Sequence, residues 1–317
     1  MNVELASDRS EAVLGEISEA VIVDRAFLET VLTGILAEGH VLLEDVPGTG
    51  KTLTARSLAN ALGLEFNRIQ FTPDLLPSGV TGSHIYDEGT GEFSFREGPI
   101  FSNVVLADEI NRAPPKTQAA LLEAMEEKQV SVEGETRSLP SPFFVIATQN
   151  PVEQEGTFEL PEAQRDRFIV KTKMGYPEWD GEFELLKRRA GRADRTPTVD
   201  SVIDSGTLEE MQSTVEDVTV EDELMSYMVD ICRATRTHDA SAVGVSPRGL
   251  QRLYEAARAR AAIAGSEFVV PEHVTSVAEP VLNHRIVLRT DASVRGVSKR
   301  DVVEDVLESH EIPGVVD

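Results

Sequence analysis

The run Val46-Pro47-Gly48-Thr49-Gly50-Lys51-Thr52 stands between an apolar stretch, 40–45, and a segment of helical period, 52–62. In that setting, backbone N–H groups and the positive end of a helix cradle phosphates. Gly48 and Gly50 permit the tight backbone, Lys51 would reach β and γ phosphates, and Thr52 would offer a hydroxyl to magnesium. The strict G-x-x-x-x-G-K-[ST] spacing fails at its first position, where Asp45 stands.

Fifty-seven positions after Lys51, the run Val104-Val105-Leu106-Ala107 ends in Asp108-Glu109. An apolar strand that delivers two carboxylates to its C-terminal edge suits a division of labour, with Asp108 on magnesium and Glu109 polarising the attacking water. A further strand, 143–148, ends in Gln149-Asn150-Pro151, which sets an amide near the γ-phosphate. Arg167 in LPEAQRDRF and Arg248 in GVSPRG are candidate cations for transition-state charge. With Ser246 as N-cap and Pro247 at the first helical position, Arg248 falls in the first turn of a helix. A cation there opposes the helix dipole, so a ligand phosphate is its expected partner.

These residues require a scaffold of alternating strands and helices. The spacing predicts strands over 40–45, 66–71, 103–107, 143–148 and 168–172, with helices over 24–39, 52–62 and 115–127, hence a mostly parallel, doubly wound sheet. Two pieces interrupt the alternation: 82–99, around the turn DEGTGE, and 129–140, where Glu133-Gly134-Glu135 predicts a hairpin. Beyond Gly175-Tyr176-Pro177 helical patterns dominate, over 181–191, 206–214, 221–237, 247–264, 271–284 and 298–309. The expected division is an α/β core over 1–176 and an α-helical domain over 177–317.

Composition narrows the function classes. In 317 residues, 55 Asp and Glu face 30 Lys and Arg, a net charge of -25 that opposes phosphate backbones and anionic membranes. Seven of the basic residues are Lys and 23 are Arg, while acidic residues recur in almost every segment. Such a coat suits a halophile's salt-rich cytoplasm, where screening relieves self-repulsion. A single cysteine, Cys232, excludes an intrachain disulfide framework and lies with Leu224, Met228 and Ile231 at helical spacing. The six His are isolated, no GxSxG elbow occurs, and no run approaches a membrane span. The expected location is cytoplasmic.

From GHVLLEDVPGTGKT through RIQFTPDLLPSGVTG, EGPIF, VVLADEINRAPPKTQAALLEAMEE, FFVIATQNPVEQEGTFELPEAQRDRF and GVSPRG to VLNHRIVL, the chain resembles the MoxR branch of the AAA+ ATPases over nearly its whole length. The resemblance implies an α/β AAA+ P-loop NTPase core with a mostly parallel sheet, a helix-2 insert and a pre-sensor-1 hairpin, followed by a smaller all-α lid domain. It implies that Val46, Pro47, Gly48, Thr49, Gly50, Lys51, Thr52 and Leu53 bind nucleotide and that Thr52 and Asp108 hold magnesium. Glu109, Asn150 as sensor 1, Arg167 as arginine finger and Arg248 as sensor 2 are the implied catalytic set. Arg165 departs from the family pattern, where an apolar residue is typical. Two Arg thus flank Asp166 and either could reach a neighbour's nucleotide. Arg167 is taken as the finger, with Arg112 a further interface cation.

The function so implied is an Mg-ATP-dependent chaperone or remodelling motor, acting in maturation or metal-cofactor insertion of partner protein complexes. Its cofactors are ATP and Mg2+. Its expected partners are copies of itself in a ring, a hexamer, together with proteins bearing von Willebrand factor A domains and client complexes. In that scheme ATP closes the lid through Arg248. The first core helix is expected near Asp24, leaving little room for a preceding recognition domain. Two rival readings stand: a nucleotide-regulated scaffold or switch with little turnover, and a nucleic-acid motor related to helicases, which the net charge and absence of basic patches disfavour.

Overall fold

A computed structural model describes residues 1–89, 91–151, 157–191, 197–312 and 314. Thr90 of the expected DEGTGE turn and residues 152–156 of the resembling run lie outside the described residues. Helices α1 (Val3–Ala20) and α2 (Arg25–Leu36) precede β1 (His40–Glu44), α3 (Lys51–Ala61) and β2 (Phe66–Gln70). A first insert follows, made of α4 (Ser78–Thr81) and the antiparallel pair β3 (Gly82–Asp87) and β4 (Glu92–Glu97). Then come β5 (Val104–Asp108), α5 (Pro115–Glu127), the hairpin β6 (Gln129–Val132) and β7 (Glu135–Ser138), β8 (Phe144–Gln149), α6 (Glu162–Arg165) and β9 (Phe168–Thr172).

Five strands pair in the order β2-β5-β8-β1-β9, each neighbour parallel. Their side chains alternate between two cores, as strand geometry requires. Val41, Leu43, Val104, Leu106, Phe144 and Ile146 face one apolar cluster. Leu42, Val105, Ala107, Val145 and Ala147 face the other, which α5 and the β6–β7 hairpin cover. Burial on both faces explains why β1, β5 and β8 are nearly continuous apolar runs. His40 ties three elements together: its Nδ1 accepts the Val145 N–H at 3.0 Å, and its Nε2 lies 2.9 Å from the Met125 carbonyl, to which it donates. Burial lowers its pKa to about 4, so the ring is neutral at physiological pH.

After β9 the chain runs through α7 (Trp179–Gly191), α8 (Ser205–Val215), α9 (Asp222–Thr237), β10 (Ser241–Val243), α10 (Pro247–Ile263), α11 (Pro271–Leu282), β11 (Val287–Leu288), α12 (Thr290–Val294) and α13 (Lys299–Glu308). β10 and β11 pair as a small antiparallel ribbon within this otherwise helical part. Cys232 is buried on α9 among Leu224, Met228 and Ile231, and burial pushes its thiol up to about 12. It is a packing residue, as its spacing suggests.

The N-terminus differs from expectation. The first helix begins at Val3, not near Asp24, with the Asn2 side chain accepting the Leu5 N–H at 3.0 Å. Val3, Ala6, Ser10, Val13, Leu14 and Ile17 form its buried stripe, at the three-and-four spacing of a core-facing helix. α1 packs against α3, α2, α8 and α10, so it joins the sheet layer to the helical part in one apolar cluster. Leu14→Ala, at a side chain 1% exposed, is expected to cost about 2–5 kcal/mol. A urea melt should show the lowered midpoint with unchanged slope; an unchanged midpoint would mean that α1 is not part of this core.

Candidate functional site

Because β5, β8 and β1 are adjacent and parallel, the loops leaving their C-terminal ends emerge side by side. They enclose a cavity of about 720 Å³. Pro47, Gly48, Gly50, Lys51, Thr52 and Leu53 line it from the loop after β1, Asp108 and Glu109 from the end of β5, and Asn150 from the end of β8. Val46 and Thr49 belong to the same loop but are not among the residues that line the cavity. The Val46 carbonyl accepts Lys51 Nζ at 2.6 Å and Thr49 Oγ1 at 3.4 Å.

The loop's shape follows from its glycines. Gly48 and Gly50 have φ of 88° and 97°, left-handed values costly for other residues. Gly50 caps α3 without a side chain, so the first-turn N–H groups face the loop as an anion-binding helix terminus. A Cβ on Gly48 would meet nothing within 4 Å, which marks open space beside the backbone.

Asp45, the departure from the phosphate-loop spacing, is buried and has a specific task. Its Oδ1 accepts the Val46 N–H at 2.8 Å, while Oδ2 accepts the N–H groups of Met174 and Gly175 at 2.9 and 2.8 Å. The carboxylate therefore bolts the loop to the segment leading from β9 into α7. Thr54, one turn into α3, reinforces the junction by donating to Met174 Sδ at 3.4 Å.

The two carboxylates after β5 are held differently. Thr148 on β8 donates its hydroxyl to Asp108 Oδ1 at 2.6 Å and accepts the Glu109 N–H at 2.8 Å. Asp108 Oδ2 accepts Arg68 Nε at 3.0 Å and Nη2 at 2.6 Å. Glu109 Oε2 accepts Gln70 Nε2 at 2.7 Å and Arg112 Nη1 at 3.1 Å. A left-handed backbone at Glu109, φ 56°, turns the chain sharply so that adjacent side chains share one cavity. Arg68, Gln70 and Thr148 escaped the sequence reading, because only strand pairing reveals them: Gln70 lies opposite Asp108 on β5, and Ala107 opposite Ala147.

The donor set fits a magnesium nucleotide. A hydroxyl and a carboxylate, Thr52 and Asp108, present the hard oxygens that magnesium prefers, and Lys51 lines the same cavity with a cation that would suit phosphate.

Arg167 and Arg248 are not in this wall. Arg167 Nη2 lies 2.9 Å from Glu126 Oε2 and its Nη1 donates to the Leu122 carbonyl, beside a separate cavity of about 300 Å³. Arg248 Nη1 lies 3.4 Å from the other oxygen of Glu126, and its Nε 3.8 Å from Asp166 Oδ2. Ser246 does cap α10, accepting the Gly249 N–H at 3.1 Å, so Arg248 occupies the expected first turn. Its anionic partners within the chain are the carboxylates of Glu126 and Asp166. Arg165 lines a third cavity of about 430 Å³, with Glu44 and Asn150, and so diverges from Arg167. Arg112 pairs with Glu109 inside the phosphate cavity.

The pattern of the ATPase family associated with various cellular activities (AAA) matches residues 40–170, and that of the AAA lid domain matches 233–306. Chaperone MoxR1 of Mycobacterium tuberculosis is 41% identical over 314 residues, covering 96% of this chain and 82% of its own. The chain belongs to the MoxR family of AAA+ ATPases. The uncharacterized protein YeaC of Bacillus subtilis is 48% identical over 282 residues, 89% of this chain and 88% of that one. A crystal structure from Cytophaga hutchinsonii, named a candidate ATPase, superposes with a TM-score of 0.92 at 39% identity, covering 98% of this chain and 97% of that one.

In this MoxR-family chain the buried Asp45 makes its loop and the route to the lid one unit. Asp45→Ala leaves the Met174 and Gly175 amides without their acceptor, at a cost of about 1–3 kcal/mol. Native-state hydrogen exchange should quicken at those two amides; unchanged protection there would contradict the bolt.

Proposed function

We propose that this protein hydrolyses Mg-ATP at an interface between copies of itself in a ring, and uses the cycle to remodel partner protein complexes. The carrying observation is the division of charged groups: Lys51, Thr52, Asp108, Glu109 and Asn150 surround one cavity, while Arg167 and Arg248 share Glu126 elsewhere.

Lys51 and the N-terminus of α3 bind the phosphates, with Thr52 and Asp108 holding magnesium, which supplies charge neutralisation on the phosphate oxygens. Glu109 orients a water and takes its proton at a carboxylate oxygen, and Asn150 holds that water with its amide. Arg167 and Arg248 both act on a neighbour's nucleotide, whose phosphates replace Glu126 as their common partner. This reading sets Arg248 to work across the ring, beside the expectation that ATP closes the lid through it. A hexamer is the expected ring.

The moving parts are the inserts. The β3–β4 hairpin exposes Ile85, Tyr86 and Phe93, and Arg137 of the second hairpin stacks over Phe95 at 4.0 Å, so the two hairpins are in contact. Client complexes and partners with von Willebrand factor A domains are the family-based expectation, as are maturation or metal-cofactor insertion for the outcome. The location proposed is cytoplasmic; no helix among the described residues is long and apolar enough to cross a membrane.

Steady-state ATPase assays across protein concentration test the ring. Specific activity should rise with assembly, Glu109→Gln should lose about 10²–10⁴-fold and Arg167→Ala about 10³-fold, both while still binding ATP. Arg248→Ala should fall only in the assembled protein. Wild type that binds ATP but never turns it over, even when assembled, would favour the switch reading.

The acidic coat belongs to the same proposal. Among the described residues only Asp45 and Asp108 are buried acids, so the net charge of -25 is carried at the surface. Screening by molar KCl should therefore raise the thermal midpoint well above its value in dilute buffer. Equal midpoints would remove the salt-rich cytoplasm from the proposal.

A further inference from the structure

Asp108 has two carboxylate oxygens and both have partners. Oδ1 is committed to the scaffold through Thr148, whose hydroxyl also fixes the Glu109 backbone. Oδ2 is gripped by both Nε and Nη2 of Arg68, in the two-point geometry that makes guanidinium–carboxylate pairs specific. Arg68 stands on the edge strand β2 with its side chain 44% exposed, and its guanidinium also donates to Gln70 Oε1 at 2.5 Å. The other cations of the cavity are engaged elsewhere: Lys51 with the carbonyls of Asp45 and Val46, Arg112 with Glu109.

We propose that Arg68 and the divalent cation compete for Oδ2 of Asp108, so that Arg68 sets how steeply nucleotide binding depends on magnesium. The inference rests on the nucleotide reading above and assigns a positioning residue to it. A metal ion that takes Oδ2 must displace a positively charged group already bonded there twice. Displacement is feasible because Arg68 is half exposed and flexible along its stem, whereas Thr148 on the other oxygen is buried. Neutralising Arg68 removes the competitor and leaves the Asp108–Thr148 contact intact. A guanidinium serving the phosphates directly would behave in the opposite way: its loss would weaken nucleotide binding with or without metal.

Isothermal titration of the full chain with ADP, in EDTA and in saturating magnesium, measures the competition. The ratio of the two affinities is the magnesium coupling. Arg68→Gln should raise that ratio about fivefold, the upper range for a partly exposed ion pair. Arg68→Lys should raise it less, because lysine keeps the charge and loses the two-point grip. Gln70→Ala, whose side chain bonds Arg68 and Glu109 but not the Asp108 carboxylate, should change it less than Arg68→Gln does. Thermal melts by circular dichroism establish that each variant is folded. The proposal is overturned if Arg68→Gln leaves the coupling unchanged or lowers it, or if Gln70→Ala reproduces its effect. If the wild type binds ADP in both conditions, such a result removes this inference alone; if it binds ADP in neither, the nucleotide reading falls and this one with it.

Discussion

Parallel pairing puts every strand's C-terminal end on one edge of the sheet, and the chemistry of this protein depends on that constraint. β5, β8 and β1 are neighbours, so the phosphate loop, the paired carboxylates and the amide of Asn150 meet without any long loop to gather them. Parallel strands need crossovers, and the crossovers α3 and α5 supply what the edge requires. α3 offers its N-terminus to the cavity, and α5 carries Glu126 to the Arg pair. Apolar runs buried on both faces make the sheet rigid, which holds the carboxylates in fixed relation to the loop.

Sequence legibility divided along the line between local and paired structure. α5 lies at its expected bounds because its signals are local: Pro115 opens it, and Lys128 ends it in a left-handed conformation. The hairpin at Glu133-Gly134 is likewise local, with φ of 52° and 90°. α1 escaped notice because its buried stripe is narrow and its exposed positions are densely charged, so the period is faint without knowledge of α3 and α10. Arg68, Gln70 and Thr148 were illegible for another reason, since their meaning arises only when β2 and β8 flank β5. Arg248 shows the limit of a dipole argument. That argument correctly demands an anion beside a cation in a first helical turn, but it does not distinguish a phosphate from Glu126 and Asp166.

The two buried acids show how an acidic chain can still carry an anion site. Asp45 and Asp108 are both enclosed, yet each has its donors: backbone N–H groups for the first, a hydroxyl and a guanidinium for the second. Asp45 thereby spends its charge on the scaffold, while Asp108 keeps its carboxylate in the cavity wall. Lys51, held by neutral carbonyls, then supplies local positive charge in a protein of net charge -25. Nucleotide affinity is in this sense a local property that the surface composition conceals.

One buried side chain links the lid to the arginine pair. Arg285, after α11, donates Nε to Asp166 Oδ1 at 2.7 Å and Nη2 to the Phe168 carbonyl at 2.7 Å. Burial lowers its pKa to about 10, which leaves it cationic at neutral pH and in need of that carboxylate. Asp166 precedes Arg167 and also faces Arg248, so the lid, the start of β9 and both Arg share one anchored junction. At the opposite end of β9, Asp45 bolts Met174 and Gly175 to the phosphate loop. β9 therefore runs as a strut between the chain's own phosphate cavity and the cations that lie outside it. A displacement of the loop at one end has a covalent and hydrogen-bonded route to Arg167 at the other. In the proposed ring, this is the physical form that communication between subunits would take.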